Sequence, residues 1–281
     1  MLWERAKNYM LIFFLLINLL LLALVWYETD THVLPRERVN AINAVLMQNN
    51  INISYPIPTD FRPMRALQVA NYDYDIERLK SIFFPAYADI SHTGGNRRSE
   101  FTWQNIRLVI DDGRVFFTSG LGVTGVPDYA AALMLTQAFI DEYYPDFVFD
   151  AQSTRQARRG GLRLFFRQKY QNHVIHSNFI EFLITGTGDE LVIEEADIHY
   201  LRPLGFAYQP RDLIAPDEAL LTFVQEIRRQ TYEPVLITYM DIAYVSFSGR
   251  GQQYAEPVYR IFIDGGDEPF LVNAYTNRVV W

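Results

Sequence analysis

The sequence of 281 residues contains no cysteine. This absence excludes a disulfide scaffold, a thiolate metal site and a cysteine nucleophile. Basic residues are outnumbered by acidic ones, 25 against 33, so the formal net charge at pH 7 is −8. A dedicated nucleic-acid-binding protein normally presents a net basic surface, so we expect no nucleic-acid partner.

Sequence motifs of catalysis are also missing. The chain has no Gly-x-Ser-x-Gly elbow and no His-Glu-x-x-His pair. His173 and His176 lie three residues apart in a β-rich stretch, a spacing that predicts opposite faces of a strand and disfavours a shared metal. Acidic pairs could be read as general acids and bases, but most stand in or beside predicted turns: Asp111/Asp112, Asp189/Glu190, Glu194/Glu195 and Asp267/Glu268. We predict no catalytic residue, no metal, no cofactor and no enzymatic activity.

A glycine-rich segment, Gly-Leu-Gly-Val-Thr-Gly at residues 120–125, matches the GxGxxG pattern of dinucleotide-binding loops. The strand before it belongs to a predicted hairpin, and Pro127 removes an amide close to the potential anion site. No second βαβ unit follows. We therefore favour a glycine-rich connection between two structural units over a Rossmann loop.

One long apolar run is present, over residues 9–27. As a helix it would be about 28 Å long, close to the hydrocarbon thickness of a bilayer, which predicts a single transmembrane helix. Arg5 and Lys7 precede the run, favouring a cytoplasmic tail at residues 1–8 and an extracytoplasmic location for the rest, as a single-pass protein of the cell membrane. Asn18 lies in the middle of the run, where its amide would bond either to a partner helix or within its own helix.

Prolines delimit three predicted helices, which begin at Pro35, Pro127 and Pro216. Alternating segments with glycine- and aspartate-rich turns predict β-hairpins over residues 106–118, 179–199 and 258–275. The fold class predicted is α+β, with a transmembrane helix followed by tandem units of one helix and an antiparallel sheet. The units cover residues 28–125, 126–214 and 215–281, the third alternatively packing with the second as one domain.

Two arginine-containing loop tips are the local cationic clusters on this acidic chain, and they hold Arg97, Arg98, Arg158 and Arg159. They would suit an acidic patch on a partner protein. The alternative is that these charges only keep glycine-flanked loop tips in water.

A family resemblance is carried by the order of several features. These are the Trp3-x-Arg5-x-Lys7 start, the apolar run with Asn18, the repeated helix-plus-sheet units and the C-terminal hairpin, in which Pro-Val-Tyr-Arg-Ile at 257–261 is followed by Phe-Leu-Val-Asn-Ala-Tyr-Thr-Asn-Arg-Val at 270–279. Together they resemble the YycH/YycI regulatory proteins of Gram-positive bacteria, most of all YycI. Asn277 stands where the related ending carries glycine, and asparagine tolerates the same left-handed geometry.

The resemblance implies a non-enzymatic accessory protein of the essential cell-wall sensor histidine kinase, called WalK or YycG. Such proteins contact the kinase, together with a YycH-like partner, through the membrane helix and the extracytoplasmic domains. Two other hypotheses stay open at this point. One is a membrane-tethered protein that binds or hydrolyses cell-wall polymer, and the other is an inhibitor of a secreted protease.

Overall fold

The structure, a computed structural model, describes residues 2–30, 32–95, 98–111, 113–157, 160–188, 190–246 and 253–280. Five helices lie in these ranges: α1 (Leu2–Asp30), α2 (Arg36–Gln48), α3 (Ile76–Phe83), α4 (Tyr129–Tyr143) and α5 (Pro216–Gln230). The strands are β1 (Ile51–Ile53), β2 (Met64–Asn71), β3 (Ser91–Gly94), β4 (Arg98–Trp103), β5 (Ile106–Asp111), β6 (Arg114–Thr118), β7 (Phe147–Phe149), β8 (Arg155–Gln156), β9 (Leu162–Tyr170), β10 (His173–Thr185), β11 (Val192–His199), β12 (Leu201–Arg211), β13 (Val235–Ser246), β14 (Gln253–Ile263), β15 (Phe270–Asn273) and β16 (Val279–Val280).

The amino-terminal apolar run forms helix α1, but not the membrane span that we predicted. Among the residues that the structure describes, no helix combines the length and the apolar character that crossing a membrane requires. The predicted transmembrane helix at 9–27 and the single-pass localisation are therefore wrong.

Helices α2, α4 and α5 begin where the prolines predict. Pro35 precedes the first turn of α2, and Pro216 is the first residue of α5. Helix α4 begins one residue after Asp128, whose carboxylate accepts the backbone N–H of Ala131 at 3.0 Å. These starts are confirmed because a fixed φ and a side-chain cap are local properties that the sequence displays directly.

The three predicted hairpins are also confirmed. Strand β5 pairs with β6, β10 with β11, and β14 with β15, all antiparallel. The turns between them hold the expected glycines, of which Gly186 has a φ of +98°. A Cβ atom there would lie 2.1 Å from the carbonyl oxygen of Glu190, so this turn requires glycine.

The strands do not form the tandem sheets that we predicted. All sixteen described strands belong to one mixed sheet, whose main path runs β12-β2-β14-β13-β10-β11-β6-β5-β4-β3. Strands from different predicted units pair directly, as β2 does with β14 and β10 with β13. Pairing across the units satisfies backbone N–H and C=O groups that separate sheets would leave exposed at their edges. The predicted fold class is therefore wrong, and the described chain is a large mixed sheet with five helices.

Strand β10 lies in the middle of the main path, between β13 and β11. One edge of β10 pairs with β9, and the other edge pairs with two different strands. Ile175 faces Tyr244 of β13 in parallel register, whereas Phe179 to Thr185 pair with β11. The register with β9 shifts between Ile175 and Phe179, at the point where the partner on the other edge changes.

Two large apolar cores flank this junction. One lies between α3, α4 and strands β4–β11, and the other lies between α2, α5 and strands β13–β15. In the second core, Ile42 and Leu46 of α2 belong to the same buried cluster as Leu220 and Phe223 of α5. An early helix therefore packs against a late one. The boundaries at 28–125, 126–214 and 215–281 stay predictions.

The C-terminal hairpin ends in the geometry that the sequence indicates. Asn277 has a φ of +56°, in the left-handed region, which confirms that asparagine takes this conformation here. Its backbone N–H donates to the carbonyl oxygen of Asn273 at 2.9 Å. Its side-chain oxygen accepts the hydroxyl of Thr222 at 2.8 Å, which ties the turn to α5.

Candidate functional site

Asn18 lies on the exposed surface of α1. Its amide donates to the carbonyl oxygen of Phe14, one helical turn earlier, at 2.7 Å. This is the own-helix bond that the sequence left open as one alternative. The side-chain oxygen of Asn18 has no hydrogen-bond partner among the described residues, so a partner contact at this position stays a prediction.

The predicted basic loop tips are only partly described. Arg98 begins β4, and its guanidinium lies 3.9 Å from the carboxylate of Asp111 across the β4–β5 pair. Both side chains are more than half exposed, so this ion pair adds little to stability. Arg97, Arg158 and Arg159 lie outside the described residues, and their predicted partner contacts stay predictions.

The glycine-rich segment at 120–125 is hydrogen-bonded to a carboxylate of the protein itself. Glu194 accepts the hydroxyl of Ser119 at 2.8 Å and the backbone N–H of Gly122 at 3.4 Å. The first turn of α4, which follows this segment, is capped by Asp128. Two internal carboxylates thus take the donors that a dinucleotide phosphate would need, and the loop fits a structural connection.

The other acidic pairs engage basic groups of neighbouring strands and loops. Glu195 accepts a guanidinium N–H of Arg163 at 3.1 Å, and Asp267 lies 3.8 Å from Arg155. Glu268 lies on an exposed turn, and partial desolvation by its neighbours raises the pKa of its carboxyl group. Asp112 and Asp189 lie outside the described residues. Glu195 and Asp267 border one open pocket, and each lies beside an arginine that lines the same pocket.

The histidines lie in separate surroundings. His173 points edge-on at Phe206 and Tyr244, whereas His176 lies 3.4 Å from a guanidinium nitrogen of Arg260. The ring of His92 stacks on Phe101. Within the described ranges, no three His, Asp or Glu side chains are placed to hold a metal ion.

A buried ionic cluster at the junction of the two cores was missed by the sequence reasoning. The carboxylate of Asp150, just after β7, lies 3.3 Å from Arg167 of β9 and 3.3 Å from Arg260 of β14. The side chains of the two arginines are only 4 % and 3 % exposed. Arg260 also makes a two-bond pair with Asp241 of β13. The cluster therefore ties strands of one core to strands of the other.

The remaining bonds of this cluster hold Arg167 in place. Its guanidinium donates to the backbone oxygen of His176 and to the hydroxyl of Ser153, and it lies over the rings of Phe165 and Phe179. Burial lowers the pKa of Arg167, and the nearby charge of Asp150 opposes this shift. The sequence carried one signal of this arrangement, an arginine inside the apolar run Leu-Arg-Leu-Phe-Phe-Arg at 162–167.

A group of tyrosines lines a second feature absent from the sequence analysis, a cavity of about 110 Å³. Tyr72 and Tyr74 precede α3, Tyr144 follows α4, and Tyr200 lies between β11 and β12. The rings of Tyr72 and Tyr200 are 4.5 Å apart, and those of Tyr72 and Tyr74 are 4.9 Å apart. We call these four residues the tyrosine cluster.

Two carboxylates also line the tyrosine cluster. Asp146 is exposed, and Asp75 accepts the backbone N–H groups of Glu77 and Arg78 at the start of α3. Burial raises the pKa of Tyr74 and Tyr144, so both phenols stay protonated and can donate hydrogen bonds. The cavity thus combines aromatic faces with polar groups at its edge.

Comparisons with known proteins bear on the fold alone. No family model matches the sequence, and no curated protein matches it. Among solved structures, the chain is similar to an uncharacterized protein from Eubacterium rectale ATCC 33656, known from a crystal structure at 1.45 Å resolution. The TM-score is 0.52 at 12% sequence identity, over 82% of this chain and 89% of that one.

We predict that Asp150→Asn lowers the free energy of unfolding by about 3–5 kcal/mol, because two buried guanidiniums lose the carboxylate that they share. Urea denaturation followed by circular dichroism measures this loss. Asp111→Asn is the matched control, since its exposed pair with Arg98 should contribute less than about 1 kcal/mol. Equal, small effects of both substitutions would contradict a stabilising role for the buried cluster.

A second prediction concerns His176, which faces Arg260 and Arg167. Burial and then these two cations lower the pKa of His176 well below 6.5, so the folded protein binds fewer protons than the unfolded chain as the pH falls through this value. The free energy of unfolding should therefore fall between about pH 7 and pH 5, with a contribution from His176 of up to about 1.4 kcal/mol per pH unit.

Denaturation of His176→Asn across this pH range should show a shallower decline than the wild type. His92→Asn is the control, because His92 lies on an exposed strand and faces no guanidinium cluster. Identical slopes for His176→Asn and the wild type would overturn the prediction.

Proposed function

We propose that this protein is a non-enzymatic accessory regulator that binds a sensor histidine kinase of the cell-wall type, together with a YycH-like partner. The family resemblance of the amino-terminal segment and of the C-terminal hairpin supplies the identity of the partners. The observation that carries a binding function is the surface of α1. No membrane span is part of this proposal.

Helix α1 exposes its apolar side chains to an unusual extent. The large apolar residues between positions 9 and 22 are 38–75 % exposed, whereas such residues elsewhere in the chain mostly line the two cores. A continuous exposed apolar surface of this kind marks a site of association. Helix–helix packing is the usual way in which such a surface is covered.

Asn18 marks one side of α1 with a polar group. Leu15 and Leu22 lie three residues before and four residues after Asn18, and they therefore share its side of the helix. The free side-chain oxygen of Asn18 can accept a hydrogen bond from a partner helix, and a single polar residue in an apolar face fixes the register of such a contact. We take Leu15, Asn18 and Leu22 as the partner face of α1.

Regulation through such a contact requires no chemistry. A partner helix that binds two kinase conformations with different affinity shifts their populations by that difference. The described carboxylates fit this proposal because they engage arginines and backbone N–H groups of the protein itself. The sign of the effect on the kinase follows from which conformation binds α1 more tightly.

The test is co-purification of the full-length chain with the full-length kinase after co-expression. The double substitution Leu15→Gln/Leu22→Gln should reduce the recovered kinase about tenfold or more, because two central apolar contacts are lost. Met134→Gln, an equally exposed apolar residue on α4, is the matched control and should leave recovery unchanged. Undiminished recovery with the double variant, or no recovery with the wild type, would refute the proposal.

A second candidate function is non-catalytic binding of cell-wall polymer, and the tyrosine cluster favours it. Aromatic faces pack against the apolar faces of sugar rings, and the phenols and Asp146 can bond to hydroxyl groups. The carboxylate of Asp75 is engaged at the start of α3, so it is not free to act as a general acid or base. This arrangement favours binding over hydrolysis.

Sedimentation with insoluble cell-wall polymer tests this second function. Tyr72→Ala should weaken retention of the full-length chain by roughly two- to tenfold, since one ring of the cluster is removed. Tyr87→Ala, which removes an exposed tyrosine ring outside the cluster, serves as control. Equal retention of the two variants would exclude the tyrosine cluster as the polymer site.

A further inference from the structure

We propose that an open cleft between β2, β12 and β13 binds a small amphipathic anion, namely a carboxylate attached to an apolar chain. The cleft has a volume of about 600 Å³. This volume lies within the range of cavities that hold small organic molecules. The cleft is separate from the partner face of α1 and from the tyrosine cluster.

The floor of the cleft is apolar. Tyr244 and Leu213 are buried beneath it, while Phe206, Ile242 and Met64 are partly exposed along it. The hydroxyl of Tyr244 donates to the backbone oxygen of Arg65 at 2.8 Å, so this residue presents its ring and not a free polar group. An apolar chain lying on this floor would remove hydrocarbon surface from water on both sides of the contact.

The rim of the cleft is cationic. Arg62 and Arg65 are both exposed at its edge, and Asp60 is the one acidic residue among the described lining residues. Arg62 lies 3.2 Å from Asp60, whereas the guanidinium of Arg65 makes no ion pair within the described ranges. This positive edge contrasts with the net charge of −8 carried by the whole chain. A carboxylate head group is the complement that such an edge selects, since guanidinium binds it with two parallel hydrogen bonds.

The side wall adds a polar group between the floor and the rim. The imidazole of His173 lies edge-on to Phe206 and Tyr244, with ring centroids 6.3 and 5.7 Å apart. Its ring borders the apolar floor, and its nitrogens can bond to a carboxylate held at the rim. Two strands of the cleft are the pair that meets at the junction, since His173 lies on β10 and Ile242 on β13. A bound ligand would thus contact both strands that meet at the junction.

Calorimetric titration of the full-length protein with decanoate, kept below its micelle-forming concentration, tests the proposal. We expect saturable binding of one decanoate per chain, and weaker binding of decyltrimethylammonium, whose head group carries the opposite charge. Arg65→Gln should weaken decanoate binding about two- to fivefold and leave binding of the uncharged decanol unchanged. Arg229→Gln, an exposed arginine on α5, is the matched control.

Ile242→Trp provides a second, independent variant because its larger side chain fills the floor of the cleft. It should abolish binding of decanoate and decanol while near-ultraviolet circular dichroism and thermal unfolding show an intact fold. Decanoate binding that survives Ile242→Trp would place the ligand elsewhere, for example on α1, and would overturn the proposal. Equal affinity for decanoate and decyltrimethylammonium, or no binding to the wild type, would overturn it as well.

Discussion

The carboxylate of Asp150, shared by two buried guanidiniums, is the constraint on which the remaining structure depends. Arg167 and Arg260 belong to different cores, and neither charge can be buried without a partner of opposite sign. The strands that carry these residues must therefore reach one point in space. The sheet is continuous across this point, where β10 pairs with β13.

Local structure was readable from the sequence, because its causes lie within a few residues. The starts of α2, α4 and α5 follow from proline and a capping aspartate, and the hairpin turns follow from glycine and aspartate. The pairing of β1 with β13 was not readable, since it joins Ile51 to Val235 and no short-range pattern encodes such a contact. We predicted separate sheets and a membrane span, whereas the described strands form one sheet and no described helix is suited to cross a membrane.

The candidate sites also divide into residues that the sequence pattern identifies and clusters that only the fold brings together. Asn18 and Arg98 were predicted as partner contacts because the sequence alone shows a polar group in an apolar run and a charged loop tip. The ionic cluster escaped notice because Asp150, Arg167 and Arg260 are far apart along the chain, and each looks ordinary by itself. An arginine flanked by apolar strand residues was the available signal, and it indicated a buried charge without identifying its partner. The tyrosine cluster is likewise assembled from segments that only the fold brings together.

The packing of α2 against α5 has a consequence for the order of folding. Ile42 and Leu46 find their apolar neighbours among residues near position 220 and in the strands that follow it. During synthesis, this early helix therefore has no native core to enter until the last third of the chain has been translated. The apolar face of α2 would stay exposed during that interval. Exposed apolar surface of this kind promotes aggregation unless a chaperone covers it.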